Sequence, residues 1–141
     1  MIVNTAYIYM GNGGGPVNPN LWQDGVSNYP VVFTNSSISA DGLKLTKNGG
    51  AATFSKLQLT SFNSLTISRD PNVMLFANLN ITIEFFNSAD QLIGTETATF
   101  SRSVVTQTVN IPSAAKIQNA KIRMTNTWKN TDITLVSALL S

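Results

Sequence analysis

The chain has 141 residues, of which 43% are hydrophobic and 11% charged, with a formal net charge of +2. Its length fits one domain able to bury a core without staples, and its hydrophobic content excludes a disordered chain. The absence of cysteine and histidine excludes disulfides, thiolate zinc sites, the serine–histidine triad and the commonest general base.

The lysines and arginines stand singly, with no basic run, so the sequence predicts no nucleic-acid partner. Asn, Thr and Ser replace charge, which gives a neutral surface rich in hydrogen-bonding groups. The N-terminal MIVNTAYIYMGNGGG lacks the basic region and cleavage pattern of a signal peptide. No run reaches the 18 apolar residues of a membrane span. The expectation is a soluble product that starts in the cytoplasm, is either intracellular or released by lysis, and has no membrane partner.

Residues 2–10 read as a first strand, with Ile8 and Met10 on one face and Tyr7 and Tyr9 on the other. GNGGGPVNPN (11–20) carries Gly13, Gly14, Gly15 and Pro16, which suit neither helix nor a central strand. The division expected is an N-terminal strand and Gly-rich arm over 1–20 and a β-sandwich domain over 21–141. Trp22 stands beside an Asp24-Gly25 turn, a short strand over 30–34 follows, and then a Ser/Asn loop. Asp41-Gly42 is a turn ahead of alternating Leu43 and Leu45. Asn48-Gly49-Gly50 reads as the turn of a hairpin leading into AATFSKLQL.

Residues 61–70 give a strand with Leu65 and Ile67 on one face, ended by Asp70-Pro71-Asn72, and 73–77 are a short apolar run. ITIEFFNSADQLIGTETATF (81–100) is the clearest hairpin. Ile81, Ile83 and Phe85 share one face, Thr82, Glu84 and Phe86 the other, and Asn87 to Gln91 close the turn. The return strand puts Thr95, Thr97 and Thr99 on one face. Further strands are predicted over 104–112 and 120–125, the second with Ile122 and Met124 inward, with a helical turn over 113–116 between them. DITLVSALL is the last strand. No stretch of 11 or more residues has a helical period. The fold class expected is all-β, a single antiparallel β-sandwich of jelly-roll type with about nine to eleven strands.

The segments IEFFNSADQLIGTETATF (83–100), VNIPSAAKIQNAKIRMTN (109–126) and ITLVSALLS (133–141) resemble the C-terminal half of galactose-binding-like jelly rolls, a group that includes non-catalytic carbohydrate-binding modules. The first strand after Met1 and the Gly/Asn-rich arm resemble bacteriophage virion accessory proteins, the capsid decoration and tail components. These resemblances imply a non-catalytic virion protein that docks on capsid or tail subunits and forms a homo-oligomer. The alternative they imply is a carbohydrate-binding module for a surface or polymeric glycan. The calcium site of many such modules has no counterpart, because Asp24, Asp41, Asp70, Asp90 and Asp132 sit singly in turns. No metal or cofactor is expected.

Two candidate sites follow. An assembly arm would use Tyr7, Tyr9, Met10, Gly13, Gly14, Gly15 and Pro16, and a solvated loop is the plain alternative. GNGGGP lacks the spacing and following helix of a phosphate loop. A glycan site would use Trp128 as a ring platform flanked by Asn126, Asn130 and Asp132. The plain alternative for Trp128, as for Trp22, is a core role. Glu84 and Glu96, the only glutamates, are expected about two pairs out of register across the hairpin, as scaffold residues and not as the paired carboxylates of a glycosidase.

Overall fold

The period-two segments fold as strands because each has one apolar face to bury and β-branched residues that suit a pleated surface. The computed structural model describes residues 3–5 and 17–141. Its strands are β1 (Val3–Thr5), β2 (Trp22–Gln23), β3 (Val26–Ser27), β4 (Val31–Thr34), β5 (Ser36–Ser39), β6 (Gly42–Leu45), β7 (Ala51–Leu57), β8 (Ser64–Arg69), β9 (Leu79–Phe86), β10 (Leu92–Phe100), β11 (Thr106–Asn110), β12 (Ala120–Asn126) and β13 (Ile133–Leu140). A 3-10 turn spans Ser113–Ala115, and no α-helix occurs among the described residues.

Two antiparallel sheets pack face to face as a sandwich. One has six strands in the order β1-β4-β7-β12-β9-β10, and the other has five in the order β11-β8-β13-β6-β5. The inward side chains of the first include Phe33, Phe54, Ile81, Ile83, Phe85, Phe100, Ile122 and Met124. Those of the second include Leu43, Leu45, Leu65, Ile67, Leu135 and Leu140. They form one continuous core. Burial of each large aliphatic or aromatic side chain contributes roughly 1.5–3 kcal/mol against leaving it in water.

The hairpin over 81–100 forms as its pattern predicts, with Glu84 opposite Thr95 and Thr82 opposite Thr97. Asn87 shapes the turn: its Oδ1 accepts from the backbone N–H of Ala89 and of Gln91, both at 3.0 Å. The Asp24-Gly25 turn also forms, pairing Trp22 with Ser27. Both turn residues take positive φ, 53° and 79°, as a tight hairpin requires.

Two expectations are corrected. Asn48-Gly49-Gly50 closes no hairpin, since β6 belongs to the five-stranded sheet and β7 to the six-stranded one. The segment is a crossover between sheets. The Ser/Asn loop after β4 is largely strand β5, and the chain changes sheets at Asn35, where φ is 45°. Polar residues suit β5 because it is an edge strand. The apolar run at 73–77 buries only Leu75; Val73, Met74 and Phe76 are exposed, Phe76 by 89%.

Of the expected docking arm over 1–20, the structure describes residues 3–5 and 17–20. The backbone of β1 pairs with β4 of its own sheet, Val3 opposite Thr34 and Thr5 opposite Val32. Asn20 bridges to Leu139, and the Leu140 N–H donates to the Pro19 carbonyl at 2.8 Å. Both described parts of residues 1–20 therefore lie against this chain's own sandwich. Tyr7, Tyr9, Met10, Gly13, Gly14, Gly15 and Pro16 lie outside the described residues.

Candidate functional site

The site at one end of the sandwich is built on the last residues of β12 and the loop that follows. Along β12, Ala120, Ile122 and Met124 point inward, and Asn126 keeps the same phase. An amide is thus delivered to the core margin, where it must find partners. Its Nδ2 donates to the carbonyls of Leu45 (3.1 Å) and Thr131 (2.9 Å), and its Oδ1 accepts from the Trp128 N–H (3.0 Å). Its backbone bonds to Gly50 and Gly49, both at 2.9 Å, and the Asn48 N–H donates to the Trp128 carbonyl at 2.6 Å. Asn126 therefore locks the Trp128 loop to the sheet crossover at 46–50.

This corrects the expectation that Asn126 faces a ligand, because the side chain is fully buried and its polar atoms are engaged within the protein. Asp132 is exposed but also occupied. One carboxylate oxygen accepts from the Lys47 N–H at 2.7 Å and the other lies 3.8 Å from Lys44 Nζ. It is not part of the groove beside Trp128.

That groove, about 340 Å³, is lined by Asn78, Asn80, Thr127, Trp128, Lys129 and Asn130. Of the four residues expected to bind glycan, Trp128 and Asn130 are brought together here. Trp128 is half-buried, packing partly on the core while also lining the groove. Trp22 follows its plain reading, since it is buried and stacks on Phe54 with centroids 5.9 Å apart.

Thr127 and Lys129 come from the same loop, and the remaining two groove residues from the start of β9, which sequence reading left out. In ANLNI (77–81), Leu79 and Ile81 are buried, so Asn78 and Asn80 take the outward phase and reach the groove. The alternation was visible in the sequence, but the adjacency of β9 and β12 was not. Asn80 Oδ1 accepts from Thr99 Oγ1 at 2.7 Å. Among the described residues, the side-chain amides of Asn78 and Asn130 and the Lys129 ammonium have no partner within the protein. An indole platform ringed by free amides can stack on an apolar ring face and hydrogen-bond its polar rim.

Sequence reading also missed Arg69, which holds the loop leading to Asn78. It occupies the inward phase of β8 after Leu65 and Ile67 and is 2% exposed. Its guanidinium faces backbone carbonyls: Nε donates to Val104, Nη1 to Asp70 and Val73, and Nη2 to Ser101 and Arg102, at 2.8–3.4 Å. One buried cation thus clamps the loop after β8 to the loop after β10. A charged residue at an inward phase was the available signal.

The two glutamates do not form a catalytic pair. Glu84 sits opposite Thr95, and Glu96 opposite Ile83, one pair apart and not two. A β-bulge between Leu92 and Gly94 precedes them on β10. Glu96 shares the phase of buried Ala98 and Phe100, whereas Glu84 points to the outer face. Glu84 Oε1 accepts from Arg123 Nε at 2.9 Å and from Arg123 Nη2 at 2.6 Å. Carboxylates on opposite faces of a sheet cannot flank one glycosidic bond. Among the described residues no group of three or more acidic side chains gathers.

The fold is similar to those of solved carbohydrate-binding proteins. The lectin domain of lectinolysin complexed with Lewis B antigen matches at a TM-score of 0.54 and 11% identity, covering 79% of this chain and 70% of that one. A fucose-binding module from Streptococcus pneumoniae, SpX-3, matches at 0.52 and 12%, covering 99% and 92%. A xylanase from Cellvibrio japonicus in complex with xylopentaose matches at 0.50 and 15%, covering 85% of this chain but only 26% of that one. No family model matches the sequence, and no curated protein does. At these identities the likeness shows an all-β antiparallel sandwich, and no more than the fold.

Proposed function

We propose that this chain is a non-catalytic glycan-binding module whose site is the groove beside Trp128. The observation that carries the reading is the half-buried indole set among the amides of Asn78 and Asn130, which have no partner among the described residues. The exposed part of the ring is apolar surface for a sugar face, and the amides meet its hydroxyls. Two neighbours of the fold are a lectin domain and a fucose-binding module, which supports a sugar ligand over a purely structural role. The absence of histidine and cysteine and the separation of the two glutamates support binding without hydrolysis.

The virion-docking expectation gains no such support, because none of these neighbours is a virion protein and the described part of the arm pairs with its own sandwich.

A glycan array followed by calorimetry tests the reading. Trp128→Ala is expected to weaken the best glycan about tenfold or more, a loss near 1.4 kcal/mol, while Trp22→Phe retains binding. Equal affinity of wild type and Trp128→Ala would reject the site.

A further inference from the structure

The outer face of the six-stranded sheet carries a second depression, about 520 Å³, lined in part by Thr34, Ala51, Thr53, Thr82, Thr125 and Thr127. Thr127 also lines the Trp128 groove, so the two are neighbouring stretches of one trough. The register explains its shape. Thr82 lies opposite Thr125, Thr125 opposite Ala51, and Ala51 opposite Thr34. Four adjacent strands thus present small side chains in one transverse row, roughly 4.8 Å from strand to strand. Along β9, the distance from Asn78 to Glu84 is about 20 Å at 3.3 Å per residue. That is long enough for several sugar rings end to end.

The hydroxyls of this face differ from those on the other sheet. On the five-stranded sheet, Thr66 pairs with Thr108 (2.8 Å) and Ser68 with Thr106 (2.9 Å), satisfying each other across the strands. In the trough, among the described residues, the hydroxyls of Thr34, Thr53, Thr82, Thr125 and Thr127 have no partner within the protein. Each offers one donor and two acceptor positions. At the far wall, Arg123 donates twice to Glu84 and lies 5.3 Å over the Phe86 ring. That pair is neutral within itself, so the stretch from it to Thr127 holds no unmatched charge, and the unpartnered cation of Lys129 stands beyond that stretch, in the Trp128 groove.

We infer that the trough continues the Trp128 site and accommodates a glycan chain along β9 and β12, with uncharged sugar rings over the Thr-lined stretch. The module would then recognise the interior of a polymer and not a single terminal sugar. The inference rests on the glycan-binding reading above.

The test is a length series. Neutral xylo-, gluco-, manno- and galacto-oligosaccharides from one to six residues are titrated by calorimetry, with oligogalacturonates as the acidic comparison. Affinity for at least one neutral series is expected to rise about tenfold or more from disaccharide to hexasaccharide. Thr125→Trp, which fills the trough, is expected to erase that rise. T82V/T125V, which keeps the shape and removes two hydroxyls, is expected to bring the hexasaccharide down towards the disaccharide. Melting curves confirm that each variant folds. Affinity independent of length but abolished by Trp128→Ala would overturn the trough and leave the Trp128 site standing. Tighter binding of the acidic series would overturn the assignment of uncharged rings to the Thr-lined stretch. No binding to any probe would overturn both readings.

Discussion

Two buried polar residues, Asn126 and Arg69, hold the margins of this sandwich in place. Each takes the inward phase of a strand, where an apolar residue would end the stripe without giving the neighbouring loops any partner. Asn126→Ala would leave the carbonyls of Leu45 and Thr131 and the Trp128 N–H without their side-chain partner. At roughly 1 kcal/mol for each lost bond, the variant is expected to lose about 3 kcal/mol in urea denaturation. It is also expected to weaken glycan binding, since the Trp128 loop is released. Arg69→Met would leave five carbonyls facing an apolar chain. A loss of about 3 kcal/mol or more is expected, with hydrogen exchange rising first in residues 70–78 and 101–105. A stability change below about 0.5 kcal/mol, the range of ordinary surface substitutions, would show that water replaces the guanidinium without cost.

Among the elements, the sheet crossover between β6 and β7 has little tolerance. A Cβ on Gly50 would stand 2.3 Å from the Thr46 nitrogen and 2.6 Å from its carbonyl oxygen, both backbone atoms that cannot turn aside. Gly50→Ala is expected to destabilise by about 2 kcal/mol through overpacking, measured by the shift of the urea midpoint. A wild-type midpoint would mean that the crossover moves freely. The Asn48-Gly49-Gly50 signal was legible in the sequence, but its meaning was not. Local turn chemistry announces a reversal of the chain without saying whether the next strand joins the same sheet. The hairpin over 81–100 was legible because its two strands are joined by five residues and pair directly, while its register, shifted by the bulge at Leu92–Gly94, fell one pair from that expected. The strand β5 was missed because an edge strand can remain polar, which removes the alternation that marks a half-buried strand.

At the scale of the molecule, both sheets share one core, so their stabilities are not separable. Equilibrium unfolding is expected to be a single transition, with far-UV circular dichroism and tryptophan fluorescence giving coincident curves. Trp22 in the core and Trp128 at the margin report from different depths, so separated transitions would show that the Trp128 end opens on its own. A bound glycan should shift the midpoint upward by mass action, in proportion to the logarithm of ligand excess over Kd.

The sequence by itself determined the all-β class, the strands with strong alternation, and the inward residues of the 81–100 hairpin and of β12. These follow from periodicity and turn chemistry, which act over a few neighbouring residues. Only the tertiary structure decided which side chains share a site. Asn78 and Asn80 meet Trp128 because β9 pairs with β12 across some forty residues of chain, while Asn126, two residues from Trp128, is turned inward by the pleat. Neighbours in sequence can fall on opposite faces of a sheet, and distant strands can place one row of side chains in a single groove, so nearness along the chain could not say which of these residues would be free to bind.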